Sequence, residues 1–306
     1  MNIDLSPEAR EYGEQARRAF DAAGGDTLLQ HAEADPTRRA SLVADVLEGL
    51  GAWDLEPRSD SDSAEAAAAL CRSAGYWGLP YPVAERLARP TDTEADGLFV
   101  VAGPAPAATL AGIGGNWVTT TLDGRRERVT GTRDPRTAFV TSLDLTSIDD
   151  GGADDVALAL VLPCWTLLGM LDRAMELTVA HVQLRRQFGQ PLAGFQGVQF
   201  QLTDAEVERS GLEMLARHAL TTATGADGPA DALALRMAAI EAAEVVFRVT
   251  HQLHGAVGFC DETVLSWLSR YSQPLRRLPL GLSATRARLT EQLGTRGLTG
   301  LYSDAP

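Results

Sequence analysis

The chain contains no lysine: all 27 basic residues are arginine. That excludes a P-loop lysine and a Schiff-base lysine, and with them two large classes of phosphate and carbonyl chemistry. Cysteine is scarce. Cys71, Cys164 and Cys260 are an odd, widely spaced set that provides neither a disulfide framework nor a zinc site and suits a reducing cytoplasm. No apolar run approaches the roughly 20 residues that cross a bilayer, and the opening MNIDLSPEAREYGEQARRAF is charged and amphipathic rather than a signal peptide. The expectation is therefore a cytoplasmic protein without a membrane span. Positive charge is also in deficit, at 27 − 41 = −14, which argues against nucleic acid as a partner.

The acidic excess is uneven. Residues 1–169 carry 14 basic and 27 acidic side chains, and residues 170–306 carry 13 and 14, which predicts two different units. With 306 residues, 45% of them hydrophobic, the chain can bury one large core or two medium ones. Residues 1–90 read as helical, from Ser6-Pro7 as N-cap and first-turn proline, with Leu42, Val46, Leu47 and Leu50 on one face. Residues 91–155 are rich in glycine and proline, with short β-like pieces at Leu98–Val101, Trp117–Leu122 and Ala138–Ser142; Asp149–Asp155 reads as a flexible acidic linker.

The C-terminal domain, 156–306, reads as a helical bundle, almost wholly helical over 156–301. Leu168, Leu171, Met175, Val179 and Val182 recur at helical spacing up to Arg185. Phe200, Val207, Leu212 and Leu215 mark a second helix ending near Thr224-Gly225, and a third runs from Gly228-Pro229 through Leu253 to Gly255. Shorter helices are expected around Val264–Tyr271 and Ser283–Leu293. Long helices with short connections predict an antiparallel four-helix bundle with the aromatic and leucine stripes in its core.

The stretch RRQFGQPLAGFQ, Arg185–Gln196, joins the first two of these helices. A guanidinium at one helix end, facing the N-terminus of the next, makes a diphosphate site: Arg185 offers forked donors and the free N–H groups near Gln196 add the helix-end contribution. Phe188 can pack on a cofactor ring, and Gly189 lets the chain turn tightly. Taken alone, the same residues also read as solvated helix-end cations, Arg185 and Arg186, favoured by the macrodipole. A second patch, Gln252-Leu-His-Gly-Ala-Val-Gly-Phe259, follows at the end of the third helix.

Both patches, in this order, resemble the flavin-contacting elements of acyl-CoA dehydrogenases: the arginine–glutamine turn and the Gln-x-x-Gly-Gly-x-Gly-[Phe/Tyr] element, which in that family reach across a dimer interface to the neighbour's FAD. The resemblance implies Arg185, Phe188, Gln196, Gln252 and Gly255 as FAD contacts; Ala256 departs from it, standing where the family has a second glycine. The opening helix, Gly75–Glu85 and Arg270 are similar to family segments as well. The fold implied is mainly α and acyl-CoA dehydrogenase-like, with an N-terminal helical region, a reduced β middle segment and the C-terminal bundle. The middle zone is where the likeness fails: the family's tryptophan strand and Glu-Pro…Gly-Ser-Asp stretch are missing, Trp117 is an echo only, and the zone is short for a complete β-domain.

The family oxidises a CoA thioester by removing an α-proton with a glutamate while the flavin accepts the β-hydride. One of its two glutamate positions falls on Ala159, in a stretch, 156–171, with no acidic residue; the other falls on Pro279, beside Arg276 and Arg277, between Thr263 and Thr290, again without Asp or Glu. Arginine stays protonated and cannot be the base. The resemblance therefore points to the short, non-catalytic subunit of a heteromeric α2β2 acyl-CoA dehydrogenase. A larger partner chain supplies the glutamate, a bulky acyl-CoA of steroid type is the substrate, and electron-transfer flavoprotein is the acceptor. Two alternatives stay open: a stand-alone flavoenzyme, either a divergent dehydrogenase with a base from Asp154, Asp155 or Glu262 or a flavin-dependent oxidase or oxygenase, and a non-enzymatic scaffold. His251 and His254 read as core or interface histidines rather than metal ligands, Gly112–Asn116 as a plain loop, and Cys164 and Cys260 as buried thiols.

Overall fold

The computed structural model describes residues 4–296. The N-terminal segment forms α1 (Pro7–Ala22), α2 (Thr27–Ala34), α3 (Arg39–Gly49), α4 (Ser61–Tyr76) and α5 (Val83–Leu87). Helix α1 starts as the sequence predicts, with the Ser6 hydroxyl accepting from the Ala9 N–H and Pro7 in the first turn. Helix α4 is capped in the same way by Asp60, whose carboxylate accepts from the Ser63 N–H at 2.7 Å. The inward face of α3 is centred on Arg39, Val43 and Leu47, one residue round from the expected stripe, leaving Leu42, Val46 and Leu50 only partly buried.

Strands β1 (Gly97–Val101), β2 (Ala107–Ala108), β3 (Trp117–Thr121), β4 (Arg126–Arg133) and β5 (Thr141–Asp149) form one sheet in the order β1-β3-β4-β5-β2. β1 runs parallel to β3 and every other pairing is antiparallel. Its small core packs Phe99, Leu110, Trp117 and Leu143. Trp117 lies inside this core, with Nε1 donating to the Gly114 carbonyl at 3.0 Å, so its ring is committed to packing. Asp149–Asp155 is tethered rather than flexible. Buried Asp155 receives the Arg126 guanidinium at 2.7 Å and the Arg58 guanidinium at 3.5 Å, while Arg126 also holds Asp92 at 2.9 Å. Arg58 from the helical segment and Arg126 from the sheet thus pin the start of the next helix.

That helix, α6 (Val156–Leu184), is the axis of the molecule. Its apolar stretch has the length and hydropathy of a membrane span, longer than the sequence reading allowed, but 83% of the span-length window is buried inside the protein. It packs on α4 through two glycines that meet opposing backbone. A Cβ on Gly75 would lie 1.8 Å from the Thr166 carbonyl oxygen, and one on Gly169 would lie 1.9 Å from that of Arg72. Against α6 stand α7 (Gln196–Thr222) and α8 (Gly228–His254), and α11 (Leu282–Arg296) packs on α8, with the short α9 (Val264–Tyr271) and α10 (Gln273–Arg277) between α8 and α11 in the chain. Arg72 ties α4 to this bundle by gripping Asp172 of α6 at 2.6 Å and Glu213 of α7 at 3.0 Å. Burial alone would raise the Glu213 pKa, but hydrogen bonds and charge from Arg72 hold it down at about 2.

Not every stripe is core. On α7 Leu212 is buried, whereas Phe200, Val207 and Leu215 are exposed together with Met214. Helical spacing marks a continuous apolar face but cannot say whether the chain itself or another molecule covers it. Cys260 is likewise exposed rather than buried, while Cys71 and Cys164 are internal.

Candidate functional site

Helix α6 ends at Arg185, whose backbone turns extended while its N–H still donates to the His181 carbonyl at 2.8 Å. A hairpin follows, β6 (Arg186–Gln187) against β7 (Gln190–Pro191), a feature absent from the sequence reading. Its two turn residues, Phe188 (φ 50°) and Gly189 (φ 83°), both have positive φ, the geometry of a type I′ turn. A phenylalanine there is held against its own backbone preference, and its ring is 92% exposed at the tip, edge-on to Phe195. The chain then enters α7 at Gln196 with no side chain capping the first turn; the Val198 and Gln199 N–H groups donate to the Phe195 carbonyl, at 3.0 and 3.1 Å, and those of Gln196 and Gly197 precede any helical acceptor.

The second patch closes on the first through a pair of rings. His181, one turn before Arg185, stacks on His254, which precedes Gly255, at 4.4 Å between centroids. Burial lowers the pKa of both; His254 and the Arg185 charge lower His181 further. Gln252 and Gly255 thereby come to the same end of the bundle as Arg185. Gly255 needs its glycine for φ 66°, and a Cβ there would meet nothing within 4 Å, so the space above it is open. His251 stacks on Phe259 at 4.3 Å and stiffens the turn.

All five sequence-predicted residues, Arg185, Phe188, Gln196, Gln252 and Gly255, are exposed. Among the described residues Arg185 has no ion pair, whereas Arg270 is occupied by Asp261 at 2.7 Å and Glu33 at 3.4 Å. An unpaired guanidinium, an uncapped helix N-terminus and an open glycine turn on one surface fit a diphosphate and adenylate. The arrangement is a ledge, open on its outer side. Exposed Leu184, Val257 and Phe259 flank it, and the apolar face of α7 continues from it.

The two positions that would carry a base are also brought together. Ala159 on α6 and Pro279 after α10, 120 residues apart, line one cavity of about 50 Å³. Neither supplies a carboxylate. Of the alternative bases, Asp155 is spent on Arg126 and Arg58, and Asp154 and Glu262 are exposed away from this cavity. The acidic residue among those that line it is Glu85 of α5, which no sequence signal singled out. Burial raises its pKa to about 7, against the pull of its own backbone N–H and of Arg39. Glu85 is reached by solvent through this cavity and a second one of about 70 Å³ that it also lines. Buried Arg236 of α8 is the cavity's cation, donating to the Leu275 carbonyl at 3.0 Å and the Leu280 carbonyl at 2.6 Å.

Residues 161–281 match the family described as acyl-CoA dehydrogenase, C-terminal domain. The C-terminal bundle thus carries the sequence pattern of that domain, and the whole chain shares its fold with solved acyl-CoA dehydrogenases. Among solved structures, a variant of the Tcur3481–Tcur3483 steroid ACAD superposes with a TM-score of 0.80 at 19% identity, covering 97% of this chain and 100% of that one. The ChsE4–ChsE5 complex from Mycobacterium tuberculosis superposes with a TM-score of 0.76 at 16% identity, covering 98% and 100%. Among curated relatives, the acyl-CoA dehydrogenase IpdE2 of Mycobacterium tuberculosis is 32% identical over 37% of this chain. A 3-sulfinopropanoyl-CoA desulfinase of Paraburkholderia xenovorans is 33% identical over 34% of this chain. The chain spans 34% and 26% of the length of these two relatives.

Proposed function

We propose that this chain is the non-catalytic subunit of an FAD-dependent acyl-CoA dehydrogenase built from two kinds of chain, an α2β2 assembly. The observation that carries the reading is a contrast of two sites. The cavity shared by Ala159 and Pro279 lacks a carboxylate from either base position and is too small for a bulky acyl chain, whereas the arginine–glutamine ledge is intact and faces outward. Two of the structural neighbours carry paired names, one as a steroid ACAD and one as a complex of two chains, which supports a partner and a bulky, steroid-derived acyl-CoA.

In this reading Arg185 forks onto the diphosphate of a flavin seated mainly in the partner, and the first N–H groups of α7 at Gln196 add their partial positive charge. Gln252 and Gly255 line the adenine side, with Phe188 closing over it. The flavin, when bound, accepts the hydride from the β-carbon. The glutamate that takes the α-proton belongs to the larger subunit, and electron-transfer flavoprotein reoxidises the complex.

Native mass spectrometry on the protein captured from its source cells tests the assignment. The expected result is a mixed tetramer with a larger acyl-CoA dehydrogenase chain and fewer FAD molecules than chains. A homo-oligomer with one FAD per chain would overturn it. Within the complex, Arg185→Ala should weaken FAD retention by about 1.5–3 kcal/mol, the worth of a charge-assisted hydrogen bond; unchanged flavin affinity would remove Arg185 from the site.

A further inference from the structure

The exposed face of α7 has a centre. Phe200, Val207, Met214 and Leu215 are 60%, 63%, 51% and 43% exposed. At 3.6 residues per turn all four fall within roughly 60° of the direction of Gly211. Gly211 lies well inside α7, where glycine weakens a helix. Elsewhere in this fold a glycine inside a helix answers to a neighbour. A Cβ on Gly13 would lie 3.1 Å from the Ala69 Cβ, and one on Gly169 would lie 1.9 Å from the Arg72 carbonyl oxygen. A Cβ on Gly211 would meet nothing within 4 Å among the described residues. The apolar face of α7 is therefore bare at its midpoint, the surface on which a second helix can approach closely.

The polar residues of this face are placed evenly about the same glycine. Asp204 stands seven positions before it and His218 seven positions after, two turns away in opposite directions on one side of the helix. Asp204 is exposed, and its carboxylate has neither ion pair nor hydrogen bond among the described residues. His218 holds Nε2 at 3.6 Å from the Asp231 carboxylate of α8, and its Nδ1 has no partner among the described residues. An apolar strip with an acid at one end, a histidine at the other and bare backbone between is complementary to itself under a two-fold axis.

We propose that two copies of this chain pack α7 against α7, antiparallel, about a two-fold axis at Gly211. In this register the two glycines cross, and Val207 of one copy lies against Met214 and Leu215 of the other. Asp204 accepts from His218 Nδ1 across the axis at both ends of the contact. Sliding the pair until Gly211 meets Val207 would set Asp204 against apolar Met214, so the polar pair fixes the register as well as the orientation. The contact stands independently of the flavin reading, since it uses this chain alone; within an α2β2 assembly it joins the two copies of the smaller subunit. Gln196 lies fifteen positions from Gly211, roughly 22 Å along the helix, which keeps the ledge clear of the crossing. One helix pair buries less than the roughly 1,200 Å² of a standard interface, so the isolated chain forms a weak, concentration-dependent dimer.

Sedimentation velocity of the full chain alone, over a range of loading concentrations, tests the contact. The expected result is a reversible monomer–dimer equilibrium. Gly211→Leu should weaken the dimer about tenfold or more while thermal stability stays at or above that of the parent, because the new side chain meets nothing in its own chain and improves the helix. The register is read by oxidative cross-linking in a Cys260→Ser background, which removes the exposed thiol. Gly211→Cys should give a disulfide-linked dimer, since its two copies meet on the axis. Val207→Cys should not, since its two copies lie roughly 12 Å apart along the helices, beyond disulfide reach. A chain that stays monomeric at every concentration, a dimer indifferent to Gly211→Leu, or cross-linking at Val207 and not at Gly211 would each overturn the proposal. The flavin reading stands or falls separately on the mixed tetramer sought by mass spectrometry, because a flavin-free dimer of the isolated chain does not contradict it.

Discussion

The two ends of α6 have the same helical character and opposite surroundings. From Val156 to Met175 the helix is nearly all buried, with Gly169 against the α4 backbone and Leu167, Leu168 and Leu171 in the core. From Val179 to Arg185 it rises out of the protein, exposing Val179 and Leu184 before the hairpin. The first half is covered by this chain's own α4 and α8; the second runs into the exposed ledge and the apolar face of α7. One continuous pattern of apolar residues thus serves an internal core and an external face, and what separates them is the supply of neighbours.

The largest effect should come from disturbing the inner half. Gly169→Leu places a Cβ inside contact distance of the Arg72 carbonyl, and the helices must part to admit it. A loss of about 3 kcal/mol or more is expected in chemical denaturation; a loss under about 1 kcal/mol would show that α4 and α6 do not approach so closely.

Next in size is the charge held inside. The Glu85 pKa is raised from 4.5 to about 7, so the folded state binds this proton more tightly than the unfolded chain. Its contribution is fully present below pH 4.5 and is lost as pH rises through 7, up to about 3 kcal/mol. Glu85→Gln should therefore gain on the parent between pH 5 and 8. The pH dependence of the stability difference between the two proteins is the measurement, and a flat difference would mean that the carboxyl is solvated. The histidines act the other way. His181, His251 and His254 have depressed values, so their contribution is present above pH 6.5 and falls as the unfolded chain protonates below it.

The smallest expected change in stability lies on the outer face. Phe200→Ser with Val207→Ser removes two exposed apolar side chains of α7. The isolated chain should change by no more than about 0.5 kcal/mol per site, while assembly with a partner, read by sedimentation, should weaken at least tenfold. A loss of several kcal/mol in the isolated chain would instead place these residues in its core and erase the difference between the two ends.

Much of the bundle was legible from punctuation. Gly225, Gly228-Pro229 and Gly255 set the limits of α7 and α8, because glycine and proline act through local backbone geometry. Strand β4 was not legible: Arg-Glu-Arg-Val-Thr-Gly-Thr-Arg has no apolar alternation and is a strand only because β3 and β5 pair with it on both sides. Nor was the hairpin, since Phe188 gives no advance sign of positive φ. Glu85 and Arg236 lie 151 positions apart and carry no shared motif; they border one cavity only because α5 and α8 both line it. Glu33 and Asp261 taking up Arg270 is of the same kind.

The sequence by itself determined the helices, their ends and the placing of Arg185 and Gln196 on either side of one turn, since those depend on side-chain periodicity and on residues within a few positions of one another. It also determined that Ala159 and Pro279 bring no carboxylate, a matter of identity alone. Only the tertiary structure decided that these two positions share a cavity, that Glu85 and Arg236 face it, that Trp117 is core, and that the stripe on α7 looks outward. Burial, pairing and pKa depend on which distant segments come into contact, and that is set by how the helices pack around α6.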